Sequence, residues 1–108
     1  MTPKQLRQHL LPDSLLATLP PLYSQEKVED PPVKVKFFVP WNNWTWYVTE
    51  GGREEEDDEF MFFGLVDGHE KELGYFLLSE LQSIRGPGGL TIERDLYFKQ
   101  EPLSKFRA

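Results

Sequence analysis

The sequence predicts an α+β domain of two layers: an antiparallel meander of four to five strands, with short helices at the N-terminus and after the fourth strand. Three observations lead to that class. Residues 33–39 and 44–49 alternate apolar and polar side chains with the period of a half-buried strand, and residues 60–66 are apolar at both parities, as in a central strand. The links between these runs are short or hairpin-like, which makes a meander the economical topology. Helix signals stand only before and after the strand region, so the helices would cover one face of the sheet.

Taken in order, Thr2 can cap a first short helix, with Pro3 at the first helical position and Gln5 three residues after the cap. Leu6 and Leu10 share a helical stripe, and Pro12 stops it. Asp13 can cap a second turn that Pro20-Pro21 ends. Residues 20–32 form a connection framed by Pro20, Pro21, Pro31 and Pro32, which Leu22 and Tyr23 could pin to the core. In the first strand Val33, Val35, Phe37 and Val39 face one way and Lys34, Lys36 and Phe38 the other. After a turn at 40–43, Trp44, Trp46 and Val48 share one face of the second strand, and Thr45, Tyr47 and Thr49 the other. Gly51-Gly52 and an acidic run link it to the third strand, 60–66. Asp67-Gly68 marks a turn, and residues 73–77 read as a fourth strand. Ser79 and Gln82 resemble the ends of a capping box for a helix that stops before Gly86-Pro87-Gly88-Gly89. Residues 90–98 offer one further short strand, and 100–108 read as a frayed tail. The whole chain, 1–108, is expected to be one domain: a helical segment 1–19, the connection 20–32, the sheet with its inserted helix 33–99, and the tail.

Composition narrows the chemistry. The 108 residues include no Cys, which excludes disulfides, thiolate metal sites and Cys nucleophiles. No apolar run approaches the roughly 20 residues of a membrane helix, and residues 1–5 carry no secretory pattern. A soluble, cytoplasmic protein without a membrane partner is the expectation. The net charge is −6, and Glu54, Glu55, Glu56, Asp57, Asp58 and Glu59 supply all of it, leaving the remainder neutral. A broadly basic nucleic-acid face is therefore not expected, whereas an acidic loop that meets a basic partner is.

Long, ordered stretches of the sheet region resemble a bacterial family known as domain of unknown function 2958. They are Val35-Lys36-Phe37-Phe38, Trp44-Thr45-Trp46-Tyr47-Val48-Thr49-Glu50-Gly51, Phe62-Phe63-Gly64-Leu65-Val66-Asp67-Gly68 and Glu70-Lys71-Glu72-Leu73-Gly74-Tyr75-Phe76. The likeness continues through Ser79-Glu80-Leu81, Arg85-Gly86 and Ile92-Glu93-Arg94-Asp95, and runs from about Leu19 to Leu103. It implies a small protein often carried on plasmids, phages and other mobile elements. It brings no reaction, cofactor or catalytic residue with it.

Four groups of residues are candidates for function. The acidic run 54–59 could engage a protein partner, or mimic phosphates: its charges would stand about 3.3 Å apart along an extended chain, against roughly 1.7 Å of axis per phosphate in duplex DNA. Its plain reading is a solvated loop that also discourages edge pairing. Lys34, Lys36, Phe38 and Tyr47 would form a basic-aromatic patch for single-stranded nucleic acid if the second sheet face is open. Asp67, His69, Glu70 and Glu72 could make a small hydrolase site, but no second His stands at ligand spacing, and a polar turn explains them. Trp44 and Trp46 share a face with Val48 and read as core. Glu50 is a bare carboxylate at a strand end, within reach of Arg53 or Arg94. The glycines form no phosphate loop, since Gly86-Pro87-Gly88-Gly89 follows a helix and no Gly-Lys-Ser/Thr comes after it. The favoured expectation is a non-enzymatic binding or accessory protein with a protein partner, no cofactor and no metal. A single-stranded nucleic-acid binder and a small hydrolase are the alternatives.

Overall fold

The alternating run at 33–39 does become strand, but in two pieces that serve different sheets. The computed structural model describes residues 10–107. In it β1 (Pro32–Val33) and β2 (Val35–Phe38) are separated at Lys34. Then come β3 (Thr45–Gly52), β4 (Met61–Asp67) and β5 (Lys71–Leu77), with short β6 (Glu93–Arg94) and β7 (Glu101–Pro102). The helices are single turns or little more: α1 (Asp13–Leu16), α2 (Leu78–Ser83) and α3 (Ser104–Arg107), with a 3₁₀ turn at Pro87–Gly89. The expected first helix, with Thr2, Pro3, Gln5 and Leu6, lies outside the described residues.

A five-stranded antiparallel sheet has the order β5-β4-β3-β2-β6, and β1 and β7 form a separate pair. The meander β2-β3-β4-β5 is as expected, and β6 returns along the outer edge of β2, placing Arg94 opposite Phe37. This is the α+β class. The break at Lys34 corrects one expectation. Val33 does not share a core with Val35 and Phe37; it packs with Leu65 and Leu103 on the other side of the sheet. Pleat parity carries only along a continuous strand, and here the chain changes sheets between the two valines.

The first face carries the main core. Phe62 lies at its centre, with the rings of Phe37, Phe60 and Phe76 at 5.4, 5.2 and 5.6 Å between centroids. Trp46 and Val48 complete it, as the alternation predicted, and Trp44 packs at its margin. Leu81 of α2, with Leu10, Leu19 and Ile92, closes the layer from above. The expected capping box is displaced by two residues: Leu77 occupies the N-cap, and only its backbone N–H is satisfied, donating to Glu80 Oε1 at 2.9 Å. Ser79 instead donates to Glu59.

The second face is covered, and residues 101–107 are not a frayed tail. Leu103 is buried against Val33 and Leu65, and Phe106 stacks on Tyr47 at 4.4 Å. A clasp holds this segment down. The Ser104 amide and hydroxyl donate to the two oxygens of Asp30, at 2.9 and 2.7 Å, and Leu103 N–H donates to Pro31 O.

A Cβ at Gly64 would stand 1.9 Å from the carbonyl oxygen of Tyr47, whereas at Gly74 it would meet nothing within 4 Å. Gly64→Ala should therefore destabilise by about 3 kcal/mol or more, and Gly74→Ala should stay within about 0.5 kcal/mol of the parent, both read by denaturant unfolding. The Ser104 hydrogen bonds, hydroxyl first, hold the Asp30 carboxyl below its ordinary range. The ionised form thus favours docking. The clasp's contribution is complete above the usual carboxylate value and fades as pH falls through the lowered one. The protection of amides 103–106, relative to their intrinsic exchange rates at each pH, should fall on acidification in the parent, and should already be low at neutral pH in Asp30→Ala.

Candidate functional site

The site is created by a single extra residue in β3. Val48 stands opposite Gly64 and Glu50 opposite Phe63, so Thr49 is a bulge with no partner of its own. Strict alternation would turn Glu50 to the same face as Trp46 and Val48, into the core. The bulge reverses the parity, and Glu50 points with Phe63 to the second face. Gly51 then falls on the core side, where a Cβ would press on the rings of Phe60 and Phe62 at 2.9 and 3.0 Å. Thr49 donates its hydroxyl proton to Phe63 O at 3.2 Å.

Glu50 is only 2% exposed. It pairs with neither of the arginines expected from the sequence: Arg53 lies over the ring of Phe60, and Arg94 reaches the carbonyl of Leu10. Glu50 Oε2 accepts the backbone N–H of Tyr23. Tyr23 has φ of 68°, an unfavourable left-handed conformation for a non-glycine residue, and Gly51 N–H donates to Pro20 O beside it. The Pro-framed connection is thus drawn across the sheet by a carboxylate and a carbonyl.

What results is a cavity of about 310 Å³ with Thr49 and Glu50 at its floor. Phe63, Leu73 and Tyr75 of β4 and β5 form one wall, Val28 and Pro31 of the connection another, and Leu103 closes the end. Glu26, Glu29 and Arg107 stand at its rim. A second concavity of about 380 Å³ adjoins it, lined by Glu54, Asp57, Asp58 and Glu59 with Met61 and Leu77. The two lie on successive rungs of one sheet face, since Phe63 pairs with Tyr75 and Met61 with Leu77. Tyr23 joins them: its ring meets Tyr75 edge-on at 6.1 Å, and its hydroxyl donates to Glu54.

The acidic run is exposed throughout. Neutral donors engage part of it, with Glu55 N–H on Asp58 and Ser79 on Glu59. The ion pairs Lys36–Asp95 and Lys105–Glu101 lie elsewhere.

The other sequence candidates are placed differently. Lys36 pairs with Asp95, Lys34 donates to Gln100, Phe38 is half-buried and Tyr47 lies under Phe106. The basic-aromatic patch is therefore occupied by the chain's own residues 95–106. Burial, followed by the charge of Asp67, raises the Tyr47 phenol above its ordinary value. At the turn 67–72, His69 packs edge-on against Trp44 at 5.5 Å, and His69, Glu70 and Glu72 are exposed. Among the described residues no group of three His, Asp or Glu side chains is gathered to hold a metal ion. His9 lies outside the described residues.

A model of the family described as protein of unknown function, DUF2958, matches residues 3–108. The chain belongs to the DUF2958 family. No curated protein and no solved structure matches it. The family assignment agrees with the resemblance in the sheet motifs, and it attaches no reaction to the Glu50 cavity or to the acidic concavity. Among the described residues of this DUF2958 protein, no helix is long and apolar enough to cross a membrane.

The Tyr23–Glu54 bond joins the two concavities and is open to a direct test. Tyr23 is pushed up to about 12, first by its hydrogen bond to Glu54 and then by burial and that carboxylate's charge. The contact needs the protonated phenol, so it is intact below the ordinary tyrosine range and released as pH rises through about 12. In an ultraviolet phenolate titration, Glu54→Gln should move one high-titrating tyrosine back toward its usual value. An unchanged curve would show that the bond is absent in solution.

Proposed function

We propose that this DUF2958 protein is a non-enzymatic, cytoplasmic binding or accessory protein of bacterial mobile elements, and that it captures a basic segment of a protein partner. The observation that carries the reading is the charge of two adjoining concavities on one sheet face. Seven carboxylates line them, from Glu26, Glu29, Glu50, Glu54, Asp57, Asp58 and Glu59, against the single cation Arg107. Such a surface draws basic partners at long range and repels nucleic acid. Apolar and aromatic groups (Met61, Leu77, Tyr75 and Phe63) lie between the charges and give a docked chain something to bury against. A partner that itself binds phosphates fits this reading, with the run 54–59 in the phosphates' place. The mobile-element setting rests on the family resemblance.

The test replaces all six acids of 54–59 with Ser and Gly. Partner proteins retained from a bacterial lysate by the parent should carry lysine- and arginine-rich segments. They should elute at roughly 0.5 M salt, where screening lengths fall to a few ångströms, and should be lost from the variant. Capture that survives the replacement would overturn the reading.

A further inference from the structure

The surface charge of the acidic loop does not explain why a carboxylate is buried beside it. Glu50 is 2% exposed, and among the described residues it accepts one hydrogen bond, at Oε2, from Tyr23. No described buried side-chain oxygen is sealed away without a partner. No described residue donates to Oε1, and Glu50 lines the floor of the cavity. A carboxylate desolvated to this degree is costly unless a donor or a cation compensates it. No described cation does so. Arg107 stands at the rim of the cavity, and the ion pairs among the described residues, Lys36–Asp95 and Lys105–Glu101, involve neither it nor Glu50.

We infer that the Glu50 cavity is the receptor for a single lysine or arginine side chain presented by the protein partner, an inference that rests on the basic-segment reading above. The chemistry of the walls matches such a side chain along its length. The cationic head would meet Glu50 at the buried floor of the cavity in a charge-assisted hydrogen bond. Phe63 and Tyr75 offer aromatic faces to the cation, and Leu73, Val28 and Leu103 offer apolar surface to its methylene stem. Glu26 and Glu29 at the rim suit the approach of positive charge. A volume of about 310 Å³ lies at the small end of ligand pockets and suits one extended side chain. An anion would meet three carboxylates and one guanidinium, so the charge balance selects a cation.

The two sites divide the work of recognition. The loop 54–59 attracts many basic chains through screened, long-range charge, whereas the cavity accepts one side chain by shape and by a buried contact. Arg107 has the wrong sign for such a ligand, so it acts as a repulsive group at the entrance.

The experiment titrates the protein, followed by amide NMR, with a blocked Gly-Gly-Arg-Gly-Gly peptide, its lysine and citrulline counterparts, and agmatine. The arginine and lysine peptides should bind saturably below about 10 mM, the range expected of one buried side chain, with shifts at Thr49, Glu50 and Tyr75. The uncharged citrulline peptide should bind at least tenfold more weakly. Glu50→Gln retains a carbonyl for the Tyr23 N–H and should also lose at least tenfold. Leu73→Trp fills the cavity from its exposed wall without touching Glu50 and should abolish binding, which keeps the test open if Glu50→Gln fails to fold. Arg107→Ala should bind equally well or more tightly. Citrulline binding equal to arginine, full binding by Glu50→Gln or Leu73→Trp, or weaker binding by Arg107→Ala would each overturn the inference. Tighter binding of agmatine than of the peptides would overturn a protein origin for the cation. Neutralising 54–59 should leave the peptide affinity within about threefold while partner capture is lost. Peptide failure with loop-dependent capture intact would thus remove the cavity's role and leave the proposed function standing.

Discussion

The bulge at Thr49 is the constraint on which the rest of this fold depends. One unpaired residue in the central strand moves Glu50 from the hydrophobic face to the opposite one, and three features follow from the move. Gly51 takes the core-facing position against Phe60 and Phe62, where a side chain would not fit. The Pro-framed connection gains an anchor, since the Tyr23 amide has a carboxylate to meet. A concavity forms, because Thr49 and Glu50 are both directed to the second face where regular pairing would direct one residue. Without the bulge, the same residues would put a carboxylate beside Trp46 and Val48 and leave the Tyr23 amide without its partner.

The second face shows how a small sheet is completed from its own ends. A domain of this length has little apolar surface to spare. The chain uses Leu103 and Phe106 from its last residues, with Val33 from the break before β2, to bury Leu65 and Tyr47. Asp30 and Ser104 fasten the arrangement with two hydrogen bonds instead of further burial. The cover stops short of Phe63, Tyr75 and Leu73, and the region it leaves is the cavity. Site and scaffold are therefore complementary areas of one face.

The legible parts of the sequence are those where a local rule and the tertiary structure agree. Alternation at 35–38 and 44–48 and the doubly apolar run 60–66 specify the meander, its order and the identity of the main core. The covering of the second face was not legible, because Leu103 and Phe106 are two apolar residues in a short polar segment, with no period long enough to distinguish a docked turn from a tail. Parity along continuous strands places Lys36, Phe38 and Tyr47 on that face, but whether it is open depends on residues far away in sequence. Parity fails for Val33 because the chain changes sheets at Lys34. Glu50 is the instructive case. Its place on the apolar parity of β3 was itself a conflict between pattern and chemistry, and two glycines follow it. A carboxylate in register with Trp46 and Val48, followed by Gly51-Gly52, is the signal in the sequence for the extra residue, and a strand end paired with an arginine reads the same residues as well.

That conflict also connects structure to function. A buried carboxylate is a poor choice for stability alone, since a well-packed apolar residue of similar size usually serves as well or better. Here one oxygen of Glu50 is used structurally, on the Tyr23 amide, and the side chain lines a cavity. The two uses are coupled. Tyr23 is held in an unfavourable backbone conformation by the same carboxylate that a cation would approach, and its hydroxyl reaches Glu54 at the start of the acidic run. Any change in charge at Glu50 therefore acts on the residue that joins the cavity to the loop. The aromatic sheet supplies rigidity and the loop supplies charge, and Glu50, the side chain the bulge displaces, touches both the scaffold and the cavity.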